Sequence, residues 1–164
     1  MSHFTTLIIT KEDQEPEELL KPFDENIRVP EYEDCKGSDR MTTYNPQSKW
    51  DWYQMGGRWT GALRLKEGAR GRTGNPGLGK ALAEEGYVDS VLFKDIDWEG
   101  MKADELAKRT RIWDEAFEKL AKGEIESGDL CWKYGIDSGT TKKDYVGDGE
   151  FEVFAIITSD GTLH

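Results

Sequence analysis

The chain has 164 residues, enough for one domain with a buried core, and 34% of them are charged against 36% hydrophobic. With 33 acidic and 22 basic side chains, its formal net charge is −11. A field of that sign repels phosphate backbones, which excludes a general coat for DNA or RNA.

The two histidines, His3 and His164, stand at opposite ends of the chain, so no zinc-ligand spacing exists and no metal or cofactor is expected. Cys35 and Cys131 leave two readings open, one long-range disulfide or two idle thiols. The start MSHFTTLIIT lacks a basic region and has an apolar run far too short to span a membrane, so a cytoplasmic location is expected.

In chain order, residues 4–10 form a β-branched run that predicts a strand. Residues 15–20 fit a brief helix with Pro16 in its first turn and acids near its positive end. Residues 11–34 carry ten acids and three bases, a solvated face or a docking patch. Residues 58–66 alternate, with Trp59, Gly61, Leu63 and Leu65 on one side and Arg58, Thr60, Ala62, Arg64 and Lys66 on the other. That pattern predicts a half-buried strand with a basic stripe. A Gly-rich loop follows over residues 68–79, then a strand over residues 87–93.

Asp97 is placed to cap a long helix, in which Met101, Leu106, Trp113, Phe117 and Leu120 recur at roughly helical spacing. Gly123 is its natural stop. Residues 131–136 read as a short strand, and residues 151–158 as the last strong one, before the Asp160-Gly161 turn. No linker or repeat divides the chain, so a single domain spanning residues 1–164 is expected. Its class is α+β, a mainly antiparallel sheet packed against one long helix, with a ferredoxin-like variant as one form.

Two stretches carry chemistry. In residues 44–59, Trp50, Trp52 and Tyr53 offer stacking faces, while Lys49 and Arg58 can meet a phosphate or carboxylate. The Gly56-Gly57 pair lets a ligand approach the backbone. Aromatic clusters also serve packing, so the same block reads equally as a Trp-rich mini-core. The second stretch holds Arg58, Arg64, Lys66, Arg70, Arg72 and Lys80 against one acid, Glu67. These cations either bind an anionic ligand or pair within the chain. Residues 74–80 match the first part of a P-loop, but Ala81 stands where a magnesium-holding hydroxyl is needed.

The segments Met1-Ser2-His3-Phe4-Thr5 and Lys21-Pro22-Phe23-Asp24-Glu25-Asn26-Ile27, with the block Tyr44 to Trp59 (YNPQSKWDWYQMGGRW) and Gly61, resemble a family of small bacteriophage and prophage proteins. Asp95-Ile96-Asp97-Trp98 and Thr158-Ser159-Asp160-Gly161 resemble it more weakly. Members continue past the Asp-Gly turn, so this chain is either a short member or lacks a C-terminal piece, which leaves a sheet edge open to a partner. The resemblance transfers no catalytic residues; it implies a phage protein acting in the cytoplasm of an infected bacterium.

The expected function is therefore accessory and counter-defence, by stoichiometric binding of a nucleotide-like anionic small molecule such as a host immune signal. Its expected contacts are Lys49, Trp50, Trp52, Tyr53, Arg58, Arg64, Arg70 and Arg72. An inhibitor of a host defence protein, docking through the acidic face, is the alternative. A nucleotide hydrolase or phosphodiesterase is the third reading, set back by the lack of a catalytic constellation. A homo-oligomer is open.

Overall fold

The computed structural model describes residues 4–37, 39–149 and 155–164. In chain order its elements begin with β1 (Thr6–Ile8), α1 (Pro16–Leu20), β2 (Tyr32–Glu33), β3 (Met41–Thr42), β4 (Gly56–Gly57) and β5 (Leu63–Arg64). Then come β6 (Asn75–Pro76), β7 (Tyr87–Val88), α2 (Trp98–Ala121), α3 (Asp129–Tyr134), α4 (Lys142–Val146) and β8 (Ala155–Ile157). The architecture is mixed α+β with one long helix and small sheets. The chain folds as two compact units, Met1–Gln54 with Val153–His164, and Met55–Glu152. Among the described residues, no helix is long and apolar enough to cross a membrane.

In the first unit, β1 and β8 pair in parallel, with Leu7 opposite Ile156, so sequence-distant segments close on each other. Pro16 starts α1, as its fixed φ and missing N–H allow. The helix then turns Leu19 and Leu20 inward against Trp50 and the fully buried Ile157. Phe4, Ile8, Phe23 and Leu163 pack around that core. A short antiparallel hairpin joins β2 to β3.

In the second unit, the Asp97 side chain accepts the Gly100 N–H at 3.0 Å and caps α2. The far end closes with the Glu124 N–H on the Lys119 carbonyl and the Gly123 N–H on that of Leu120, a Schellman arrangement that needs the left-handed Gly123. Along α2, Trp113 stacks on Phe117 at 4.4 Å and meets Tyr145 of α4 at 5.6 Å. The aromatic stripe of α2 thus packs on α4, and the Tyr145 hydroxyl ties to the Tyr134 carbonyl of α3.

Several local expectations change. In place of one mainly antiparallel sheet, and of a ferredoxin-like one, the described residues form four two-stranded ladders, two of them parallel. Turns and glycines interrupt the chain before strands lengthen. The strand expected over residues 58–66 shrinks to β5, because Trp59 and Thr60 close turns on Gly56 and Gly57. Residues 87–93 pair only at β7, and at Ser90 the backbone leaves for Arg72. Residues 131–136 are not a strand: they lie in and just after α3, which Gly135 ends in a left-handed conformation. Of the strand expected over residues 151–158, β8 is seen, while residues 151–154 lie outside the described residues.

Candidate functional site

Two glycine-bearing loops of the second unit run side by side through the parallel pairing of β4 with β6. Gly56 has φ +86°, and a methyl group there would strike the Thr60 hydroxyl and the Asp89 carboxylate. Glycine is thus required twice over, by backbone sign and by space. The Gly77 N–H donates to the Gly57 carbonyl at 2.7 Å and brings the second loop against the backbone of Arg58.

Asp89 holds these loops. Its Oδ1 accepts the Gly61 N–H at 2.7 Å, and its Oδ2 accepts the Gly74 N–H at 2.7 Å and the Thr60 hydroxyl at 3.0 Å. Three donors on one carboxylate make charge-assisted bonds, which are the strong kind. Asp89 carries no distinctive sequence signal: it sits between Val88 and Ser90 with its partners 15 to 29 residues away.

The adjoining segment bears Arg70 and Arg72. The Arg72 backbone exchanges both hydrogen bonds with Ser90, at 2.8 and 3.0 Å. Gly71 is exposed yet closely approached, since a Cβ there would lie 2.7 Å from both the Ser90 carbonyl oxygen and Val88 Cγ2. Arg70 and Arg72 flank Gly71 in the chain. Both are exposed.

The cations of this region separate into two sets. Arg64 is committed to α2, with Nε 3.1 Å from Asp97 and Nη1 2.7 Å from Asp104. The Tyr87 hydroxyl donates to the same Asp104 oxygen. The hydrogen bonds from Tyr87 and then Arg64 hold the Asp104 carboxyl below its ordinary range. The bond to Asp104 raises both Arg64 and Tyr87. Lys66 donates to the Lys94 carbonyl at 2.7 Å. By contrast, Arg58, Arg70, Arg72 and Lys80 are exposed and have no ion pair among the described residues. The Arg58 guanidinium lies over the Trp59 ring at 5.7 Å from its centroid, a cation–π contact that keeps its charge available to an anion.

Lys49, Trp50, Trp52 and Tyr53 belong to the first unit. Lys49, Trp52 and Tyr53 are exposed. Trp50 is buried, with its ring centroid 5.5 Å from that of Phe23 and 6.3 Å from that of Phe4. Its Nε1 has no hydrogen-bond partner among the described residues. The eight expected contacts thus divide between the units, with Arg58, Arg64, Arg70 and Arg72 in the second.

The P-loop match fails in backbone as well as in Ala81. The N–H groups of Gly74 and Gly77 are engaged by Asp89 and Gly57, and no helix begins directly after Lys80, the next being a 3₁₀ turn at Phe93–Asp95 ahead of α2. A phosphate cradle needs those N–H groups free and a helix N-terminus behind them.

A groove of about 310 Å³ lies beside α3, lined by Phe117, Leu130, Cys131, Ile136, Asp137 and Thr140 among others. The Cys131 thiol donates to Asp137 at 3.3 Å, and that bond followed by burial pushes the thiol up. Cys35 and Cys131 are both free and exposed. No family model, no curated protein and no solved structure matches the chain.

Proposed function

We propose that the chain acts by stoichiometric binding of a nucleotide-like anionic small molecule on the arginine-bearing loops of its second unit. One observation carries this: Arg58, Arg70, Arg72 and Lys80 stand exposed without an ion pair among the described residues. They do so in a chain that has acids in excess. Like charges gathered on backbone pinned by Asp89 favour an incoming anion. Trp59, under Arg58, supplies an aromatic surface at the same loop. In the setting that the phage-family resemblance implies, such a binder sequesters a host immune signal and counters defence without catalysis.

Calorimetry against mono-, di- and cyclic nucleotides tests the proposal. Saturable binding near one ligand per chain is expected. Arg58→Ala should weaken it about 10- to 150-fold, the equivalent of roughly 1.5–3 kcal/mol for a bond to a charged group. The melting temperature should hold. Stability lost with binding per folded molecule intact would overturn the reading.

A second reading keeps one specific support. Glu12, Asp13, Glu15, Glu17 and Glu18 are all exposed around the start of α1. A face of that charge suits docking on a basic surface of a host defence protein. Failure of every nucleotide to bind would favour it.

A further inference from the structure

We propose that the groove beside α3 binds a small apolar molecule carrying a protonated amine, with Asp137 as its counter-charge. The groove is built from other elements of the second unit than the arginine-bearing loops. It takes a ligand of the opposite sign and does not depend on the anion reading above.

Local turns build the groove. Gly135 ends α3 with φ 66° and sends the chain back, so the Ile136 N–H reaches the Leu130 carbonyl at 3.0 Å. That bond holds two apolar lining residues together, and Ile136 is almost fully buried. A further turn closes with the Thr140 N–H on the Asp137 carbonyl at 3.1 Å, which fixes the Asp137 backbone at the groove. Phe117, 37% exposed, is braced by its stack on Trp113 at 4.4 Å. A volume of about 310 Å³ lies at the small end of ligand sites, which run from roughly 300 to 1,000 Å³. It suits one ring with a short arm rather than a nucleotide.

Charge selects the sign of the ligand. Asp137 is the one charged side chain among the described residues that line the groove, in company with Ser127, Ser138 and Thr140. Its Oδ1 takes the Cys131 thiol at 3.3 Å, and no bond occupies its Oδ2 among the described residues. The lysines on either side of it in the chain are engaged elsewhere, Lys133 with Asp129 at 3.1 Å and Lys142 with Asp114 at 2.6 Å. A carboxylate beside apolar side chains, without a cation of its own, attracts an ammonium group. The net charge of −11 adds a field of the same sense. Because Asp137 is exposed, the ion pair gives a several-fold preference rather than tight binding by itself.

The test is titration of the full chain with phenethylamine, phenethyl alcohol and hydrocinnamate, which share a ring and differ in the charge of the arm. Alkylation of Cys131 by iodoacetamide reports occupancy of the groove, with Cys35 as the reference thiol. The amine should bind about three- to fivefold tighter than the alcohol, the scale of an ion pair open to water, and the acid weakest. Saturating amine should slow Cys131 and leave Cys35 unchanged. Asp137→Asn should level amine and alcohol with the melting temperature unchanged, while Glu84→Gln, which removes one exposed charge from a different loop, should keep the preference. Equal binding of the three, a preference for the acid, an amine preference that survives Asp137→Asn, or binding that leaves Cys131 unprotected would overturn the proposal. So would absence of binding by all three compounds up to their solubility limits.

Discussion

The carboxylate of Asp89 accepts the backbone N–H of Gly74 at 2.7 Å, across fifteen residues of chain. Because the same group also takes Gly61 and Thr60, it decides where the loops bearing Arg58 and Arg72 meet. An amide in its place keeps one acceptor and turns an NH₂ toward a donor. Asp89→Asn should therefore lower unfolding free energy by about 2–3 kcal/mol, the range for losing bonds to a charged acceptor. Urea denaturation measures this, and a change below about 0.5 kcal/mol, the ordinary surface effect, would show that the loops hold without it.

Close backbone approach at Gly74 leads to a second expectation. A methyl group there would run into the Met55 carbonyl, and backbone cannot step aside as a side chain can. Gly74→Ala should destabilise by about 1–3 kcal/mol, as overpacking does. Gly128 is the control, since nothing lies within 4 Å of its Cβ position and its φ is −65°. Gly128→Ala should be neutral or stabilising by up to about 1 kcal/mol. Thermal unfolding of the two variants side by side decides the matter.

Asp104 gives a pH dependence of known sign. Its folded carboxyl is held low, by Tyr87 first and Arg64 next. Its contribution to stability is thus fully present above the unfolded value near 4 and is lost as pH falls through the lower folded value. The melting-temperature gap between the native chain and Asp104→Asn should be flat from about pH 6 to 8 and should close below about pH 4. A gap that widens in acid would contradict the assignment.

The Cys131 thiol is expected to be sluggish, because its hydrogen bond to Asp137 favours the protonated form. Asp137→Ala should therefore speed alkylation of Cys131 by iodoacetamide at pH 8, read by mass spectrometry with Cys35 as internal reference. An unchanged ratio would mean that the carboxylate has no hold on the thiol.

Signals within a turn or two of chain were legible from residue types alone. Pro16 opening α1, Asp97 capping α2 and Gly123 ending it each act on neighbours three to five residues away, so local pattern suffices. The mixed α+β class and the long helix were legible for the same reason. Alternation over residues 58–66 misled, because Asp89 reaches across 28 residues to the Gly61 N–H and bends that segment out of a strand. The segment at residues 131–136 misled through its β-favouring side chains, whereas α3 is set by helical bonds that Gly135 terminates.

Ring chemistry alone does not say which way an aromatic faces. Trp50 looked as suited to a ligand as Trp52, and only packing with Phe4, Phe23, Leu19, Leu20 and Ile157 placed it in a core. Charge was legible as composition, but its pairing was not. Arg64 and Arg72 read alike in the chain; one meets the α2 cap Asp97 and Asp104 of α2, and the other is exposed with no ion pair among the described residues. Pairing depends on which distant segments the fold brings within about 4 Å, and burial depends on which side of the backbone meets the core. Sequence determined the supply of charge and the local helix boundaries; tertiary contact decided which cations were left for a ligand.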